Sequence, residues 1–84
     1  MGPMSAEEAG IVAIVFLQHI RGIDEPVEKA RKGWRDMDAV SKRSTMRAYN
    51  MMAWANGPPV ELENGDLQVP FGTFNVVVPR KRPS

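Results

Sequence analysis

The segment from Ser5 to Gly22, with the sequence SAEEAGIVAIVFLQHIRG, decides how the rest of the chain must be arranged. Ser5 and Glu8 have the spacing of a capping box, in which each side chain accepts a hydrogen bond from the backbone amide of the other residue. Gly22 suits the left-handed position that follows a helix. The segment therefore predicts a helix that begins at Ala6. Its body is apolar on nearly every side, so it must be buried on nearly every side.

This large apolar surface also bears on assembly. The chain has 84 residues, and a domain of that size buries only about 60% of the surface that its unfolded chain exposes. We therefore expect part of the first helix to contact another copy of the chain, in a homodimer or a higher oligomer. The residues predicted to form this interface are Val12, Val15 and Phe16.

A second helix is predicted to open with a polar cap at Asp24 and Glu25 and an early proline at Pro26. Helical spacing places four of its residues on one face, and these are Val27, Ala30, Trp34 and Met37. Gly33 lies in the middle of this helix. A glycine there costs about 1 kcal/mol relative to alanine, so we expect it to allow the close approach of another element.

Asp38 predicts the cap of a third helix, from Ala39 to Asn56. The first half of this helix is polar and basic. The second half is nearly all apolar and includes Met51 and Met52. We therefore expect the second half to be buried and the first half to project into solvent.

Beyond the third helix the apolar residues alternate, which is typical of strands. The Asn64-Gly65 pair predicts a hairpin with a type I′ turn. That turn sets the register of two inward-facing pairs, Leu62 with Leu67 and Val60 with Val69. A second turn at 70–72 predicts a third strand over 73–78, whose inward side chains are Phe74, Val76 and Val78.

These elements predict an α+β fold, in which three helices are followed by a three-stranded antiparallel β-meander. This is the element order of a winged helix-turn-helix. We expect a single domain over residues 5–79. Residues 1–4, with the sequence MGPM, are expected to be an expression scar and a disordered start, and residues 80–84 a flexible basic tail.

The composition argues against catalysis. The chain has no cysteine and one histidine, and it lacks nucleotide-binding glycine patterns and metal-ligand spacing. We therefore expect a protein that is not an enzyme and has no cofactor. The longest apolar run, from Ala9 to Leu17, is about half of a membrane span. A cytoplasmic protein with no membrane partner is the expectation.

Charge is distributed unevenly along the chain. Residues 29–47 hold seven bases and two acids, whereas residues 1–28 hold one base and five acids. A basic window of this kind can mark a nucleic-acid interface. The residues predicted to form it are Lys32, Arg35, Lys42, Arg43, Ser44, Arg47, Asn50, Arg80, Lys81 and Arg82.

The sequence VSKRSTMR, residues 40–47, resembles recognition-helix segments of repressors of the lac type, which often read Val-Ser-Lys-x-Thr. This resemblance covers about ten residues and needs a one-residue insertion. It implies that the third helix contacts DNA.

Two other interpretations stay open. The basic window can be the solvated side of two helices, partly neutralised by Asp36, Asp38 and the acidic N-terminal segment. The chain can also be a protein-binding module or inhibitor that acts through an apolar helix surface, since methionine and tryptophan suit adaptable interfaces. A small regulator encoded by a phage or a mobile element fits either function.

Overall fold

A computed structural model of the chain describes residues 4–52 and 59–80. Three helices precede a three-stranded antiparallel sheet of order β1-β2-β3, which confirms the predicted α+β fold and its element order. The elements are α1 (Ala6–His19), α2 (Val27–Asp36), α3 (Ala39–Met52), β1 (Val60–Glu61), β2 (Leu67–Phe71) and β3 (Phe74–Val78).

Local hydrogen bonds define both ends of α1. The amide of Glu8 donates to Ser5 Oγ over 3.1 Å, and the amide of Ser5 donates to Glu8 Oε1 over 2.9 Å. After the helix, Gly22 has a φ of 80°, and the amide of Ile23 donates to the carbonyl of Gln18. This last bond is part of a Schellman motif. The predicted capping box and left-handed glycine are therefore confirmed.

The apolar surface of α1 is covered within the single chain. Helices α2 and α3 pack on α1, and the inner face of the sheet closes the core over it. Val12 is fully buried, while Val15 and Phe16 are only 6% and 8% exposed. These three side chains are thus not available on the surface, and the predicted interface at these positions is wrong. The homo-oligomer itself stays a prediction.

Helix α2 packs against α1 at a glycine, though not at the one that the sequence indicated. The ring of Trp34 lies directly over Gly10, so closely that a β-carbon at Gly10 would overlap the ring. A β-carbon at Gly33 would meet nothing within 4 Å. The expected close approach at Gly33 is therefore wrong, because the glycine that permits the contact lies on α1.

Helix α2 also begins differently from the expectation. Its N-cap is Pro26, which has no side chain that could accept a hydrogen bond, so the polar cap at Asp24 and Glu25 does not form. Helix α3, in contrast, begins as predicted. The amide of Ser41 donates to Asp38 Oδ1 over 2.7 Å, and this contact lowers the pKa of the Asp38 carboxyl.

Only one side chain of α3 is buried. Tyr49 lies edge-on to the ring of Phe16, with 5.8 Å between ring centroids. The expectation that the second half of α3 would be buried is wrong for Met51 and Met52, which are both exposed. The last described residue of α3 is Met52, and the predicted end at Asn56 lies outside the described residues.

The first hairpin forms, but its turn is one residue longer than expected. The amide of Gly65 donates to the carbonyl of Leu62, and only Gly65 in this turn has a positive φ. A type I′ turn needs a positive φ at Asn64 as well. The loop instead has three residues, with a left-handed glycine at its end.

The longer turn shifts the strand register by one residue. Val60 pairs with Gln68, and Glu61 pairs with Leu67. A shift of one residue turns each side chain to the opposite face of the sheet. Val60 is consequently exposed, so the predicted inward pairing of Val60 with Val69 is wrong.

The second hairpin supplies most of the sheet's contribution to the core. Leu67 pairs with Val78 and Val69 with Val76, and all four side chains are almost fully buried. Phe74 is partly buried, which agrees with the predicted inward pattern of β3. The turn is formed by Gly72 and Thr73, because β2 continues through the expected turn residues as far as Phe71.

Candidate nucleic-acid interface

Two arginines of α2 are held by one acid at the start of α1. Arg35 donates to both carboxylate oxygens of Glu7, over 2.8 and 3.2 Å, and Arg31 donates to the same carboxylate over 2.9 Å. The hydrogen bond from Arg35 is the main reason that the pKa of Glu7 is lowered. Two guanidinium groups therefore share one carboxylate, and they join α2 to α1.

Further contacts engage Arg31 and Lys32, whereas Lys29 is exposed and has no partner among the described residues. Arg31 also donates to Glu28 and to the carbonyl of Pro79. Lys32 forms an exposed ion pair with Asp36, four residues later, over 3.1 Å. Of the predicted binding residues on α2, Lys32 and Arg35 are thus both engaged with acids. Their assignment to a nucleic-acid interface has no support, because their charge is already compensated.

Arg80 is also part of the fold. Its guanidinium donates to both carboxylate oxygens of Glu8, over 2.8 and 3.1 Å, and its amide donates to Asp66. The contact with Arg80 is the largest cause of the lowered pKa of Glu8. Arg80 was expected in a flexible tail, and that expectation is wrong. Lys81 and Arg82 lie outside the described residues.

The exposed bases of α3 have a different environment. Arg43 and Arg47 lie one helical turn apart, and within residues 4–52 and 59–80 neither side chain has an ion-pair or hydrogen-bond partner. Together with Val40 and Ser44 they line an open concavity of about 210 Å³. Small-molecule sites usually enclose roughly 300 to 1,000 Å³. The surface is therefore better suited to an extended ligand than to a small one.

Helical geometry places six exposed residues of α3 within an arc of about 120°. We call this set the α3 stripe, and its members are Val40, Arg43, Ser44, Arg47, Asn50 and Met51. Four of the predicted binding residues belong to it. The stripe points away from Tyr49, the side chain through which α3 packs on the core.

Lys42 lies on another side of α3 from the stripe. Its Nζ lies 5.4 Å from the centre of the Trp34 ring, a geometry that favours a cation–π interaction. The structure therefore brings Arg43, Ser44, Arg47 and Asn50 together and places Lys42 at the junction with α2.

Sequence reasoning allowed for partial neutralisation of the basic window by the acidic N-terminal segment, but it did not identify Glu7 as the partner of Arg31 and Arg35. The acidic segment before residue 29 and the basic window after it were a signal that the two segments would pair. Sequence reasoning also missed Val40 and Met51 as members of the exposed stripe. Their helical spacing from Arg47 places them there, but Met51 belongs to the apolar half of the helix that was expected to be buried.

The described residues include no group of three or more histidine, cysteine, aspartate or glutamate side chains that could hold a metal ion. Among the same residues, no helix has both the length and the apolar character required to cross a lipid bilayer. Comparisons with protein-family models, with curated proteins and with solved structures found no match to this chain.

Proposed function

We propose that this chain is a small, non-enzymatic regulatory protein that binds nucleic acid through the α3 stripe and acts in the cytoplasm. One observation carries the proposal. Arg43 and Arg47 are exposed and unpaired among the described residues, whereas acids hold Arg31, Arg35 and Arg80.

The chemistry of the stripe suits a phosphate backbone. Guanidinium groups bind phosphate oxygens with two parallel hydrogen bonds. Binding of phosphates releases counterions from the nucleic acid, and this release supplies much of the affinity. Ser44 and Asn50 add neutral hydrogen-bonding groups beside the two arginines, and such groups also contact the backbone in protein–DNA complexes.

A salt-titrated binding measurement tests the proposal. The parent chain should bind a mixed-sequence duplex with an affinity that falls as salt rises. The double variant Arg43→Gln/Arg47→Gln should bind more weakly. Its plot of log K against log salt should be shallower by roughly 1.8, since each lost phosphate contact changes the slope by about 0.9.

A second double variant controls for net charge. Arg21 and Lys29 are exposed and lie outside α3, so Arg21→Gln/Lys29→Gln removes the same charge from other surfaces. It should keep nearly the parent slope. If the two double variants lost DNA affinity and salt dependence equally, the result would contradict a defined interface on α3. No salt-dependent binding by the parent to any duplex or single strand would contradict the proposal itself.

A protein-binding module or inhibitor is the second candidate. The apolar surface first expected on α1 is buried, but Met51, Met52 and Val60 are exposed. Methionine suits surfaces that adapt to a partner. If the parent fails to bind nucleic acid, we expect a protein target to contact these exposed apolar residues.

A further inference from the structure

We infer that the ligand of the α3 stripe is B-form duplex DNA, and that α3 reads base pairs from the major groove. This inference rests on the proposed function, because it names the class of nucleic acid that the same surface would accept. Two observations support it. Among the described residues, aromatic rings are absent around Arg43 and Arg47, and apolar and polar side chains are exposed beside them.

The α3 stripe carries no aromatic ring on which an unpaired base could stack, and the exposed ring of His19 lies on α1, stacked on Phe74. Proteins that bind single strands stack the bases on exposed aromatic rings. The large apolar side chains exposed among residues 4–52 and 59–80 are all aliphatic. Trp34 and Tyr49 are buried, and the rings of Phe71 and Phe74 pack against the core. Because the α3 stripe lacks such a ring, it favours a duplex over a single strand.

The described sheet lacks the basic residues and exposed rings with which some protein modules bind RNA on a β-sheet. Its solvent face carries Gln68 and Asn75 with the exposed Val77, and none of the described strands contains a basic residue. The first turn adds Glu63, which is exposed. A phosphate backbone would not be attracted to this face, so the contact with nucleic acid is confined to the helical side.

The stripe combines its two arginines with exposed apolar side chains. Val40 is 66% exposed and Met51 is 73% exposed. They flank Arg43 and Arg47 along one line of the helix. In the major groove of DNA, apolar side chains contact the methyl group of thymine. Uracil lacks this methyl group, so the apolar members of the stripe favour DNA over RNA.

The remaining members match the donors and acceptors of the major groove. Arginine binds guanine with two hydrogen bonds, and asparagine binds adenine in the same way. Arg47 and Asn50 lie three positions apart in the sequence and project from the same side of α3. The stripe runs for roughly 16 Å along the helix. The major groove of B-form DNA is about 12 Å wide and admits a helix, whereas side chains cannot read the deep, narrow groove of A-form RNA.

A selection experiment with the full chain tests this inference. Duplexes of 20 base pairs with a randomised centre are bound, recovered and amplified. The recovered sequences should be enriched in a motif that contains thymine. The parent should bind the enriched duplex at least tenfold more tightly than either separated strand or the matching RNA duplex. Replacement of thymine by uracil in that DNA duplex should weaken binding by roughly fivefold.

Two single variants complete the test. Met51→Ala should weaken binding to the thymine duplex and lose most of the difference between the thymine and uracil duplexes. Met52→Ala is the matched control, because Met52 is exposed but lies off the stripe, and it should keep that difference. Binding with no enriched motif, or binding to a single strand as tightly as to the duplex, would overturn this inference while leaving the proposed function intact. No binding to any nucleic acid would overturn both.

Discussion

Helices α2 and α3 share one basic window in the sequence, but their arginine side chains have opposite environments. On α2, Arg31 and Arg35 form ion pairs with Glu7. On α3, Arg43 and Arg47 face solvent with no partner among the described residues. The number of positive charges in a segment is therefore a poor guide to a binding surface. What matters is whether the fold has already placed an acid beside each of them.

The largest expected effect comes from breaking the contact between α1 and α2 at Gly10. Gly10→Ala would place a methyl group within the ring of Trp34, and overpacking of this kind costs about 1 to 3 kcal/mol. Thermal unfolding followed by circular dichroism should show a melting temperature lower by roughly 10 °C.

Gly33→Ala is the matched control for that substitution. The added methyl group meets nothing within 4 Å, and alanine is better than glycine inside a helix by about 1 kcal/mol. The melting temperature of this variant should rise by a few degrees, roughly 4 °C. Equal effects of the two substitutions would show that Trp34 does not pack on Gly10.

The second prediction compares the two helices directly. Arg31→Gln/Arg35→Gln removes both partners of Glu7 and should lower the melting temperature by roughly 5 °C, since it breaks contacts between α1 and α2. Arg43→Gln/Arg47→Gln should leave the melting temperature within about 2 °C of the parent, because exposed substitutions usually change stability by less than about 0.5 kcal/mol. The same loss of stability in both variants would contradict the contrast between the helices.

The third and smallest effect is a dependence of stability on pH. The pKa values of Glu7 and Glu8 are lowered in the folded chain, chiefly by Arg35 and Arg80. A carboxyl whose pKa is lower in the folded chain than in the unfolded chain stabilises the fold at pH values above its unfolded pKa. This stabilisation is therefore complete at neutral pH. It is lost as the pH falls below about 4.5, the ordinary value for glutamate.

Urea titrations at pH 7 and pH 3 measure this loss. The parent should lose more stability between the two pH values than Glu7→Gln does. Glu63 is exposed and lies in the first turn of the sheet, so Glu63→Gln is the control and should behave like the parent. If Glu7→Gln and the parent respond equally to acid, the contact between Glu7 and Arg35 does not persist in solution.

The features that were predictable from the sequence are those that depend on neighbouring residues. Ser5 and Glu8 are three residues apart, and so are Asp38 and Ser41. Each pair forms the cap that its spacing predicts. The positive φ of Gly22 likewise follows from its place after a helix. The fold class was also predictable, because the apolar period changes from helical to alternating along the chain.

The features that could not be predicted depend on residues that meet only in the folded chain. Glu7 and Arg35 are 28 residues apart, and Glu8 and Arg80 are 72 apart. Nothing local to either arginine reveals that an acid will lie beside it. The prediction of the strand register failed for a related reason. Two loops that differ by one residue both suit Asn64 followed by Gly65, and packing decides between them.

Mapping of the bound surface by nuclear magnetic resonance shows directly whether DNA contacts α3 rather than α2. A ¹⁵N-labelled sample of the parent is titrated with duplex DNA at low salt, and the shift of each backbone amide is followed. The largest shifts should fall on α3, at Val40, Arg43, Ser44 and Arg47, and the amides of α2 should change little. Largest shifts on α2, or no shifts on any element, would contradict binding through α3.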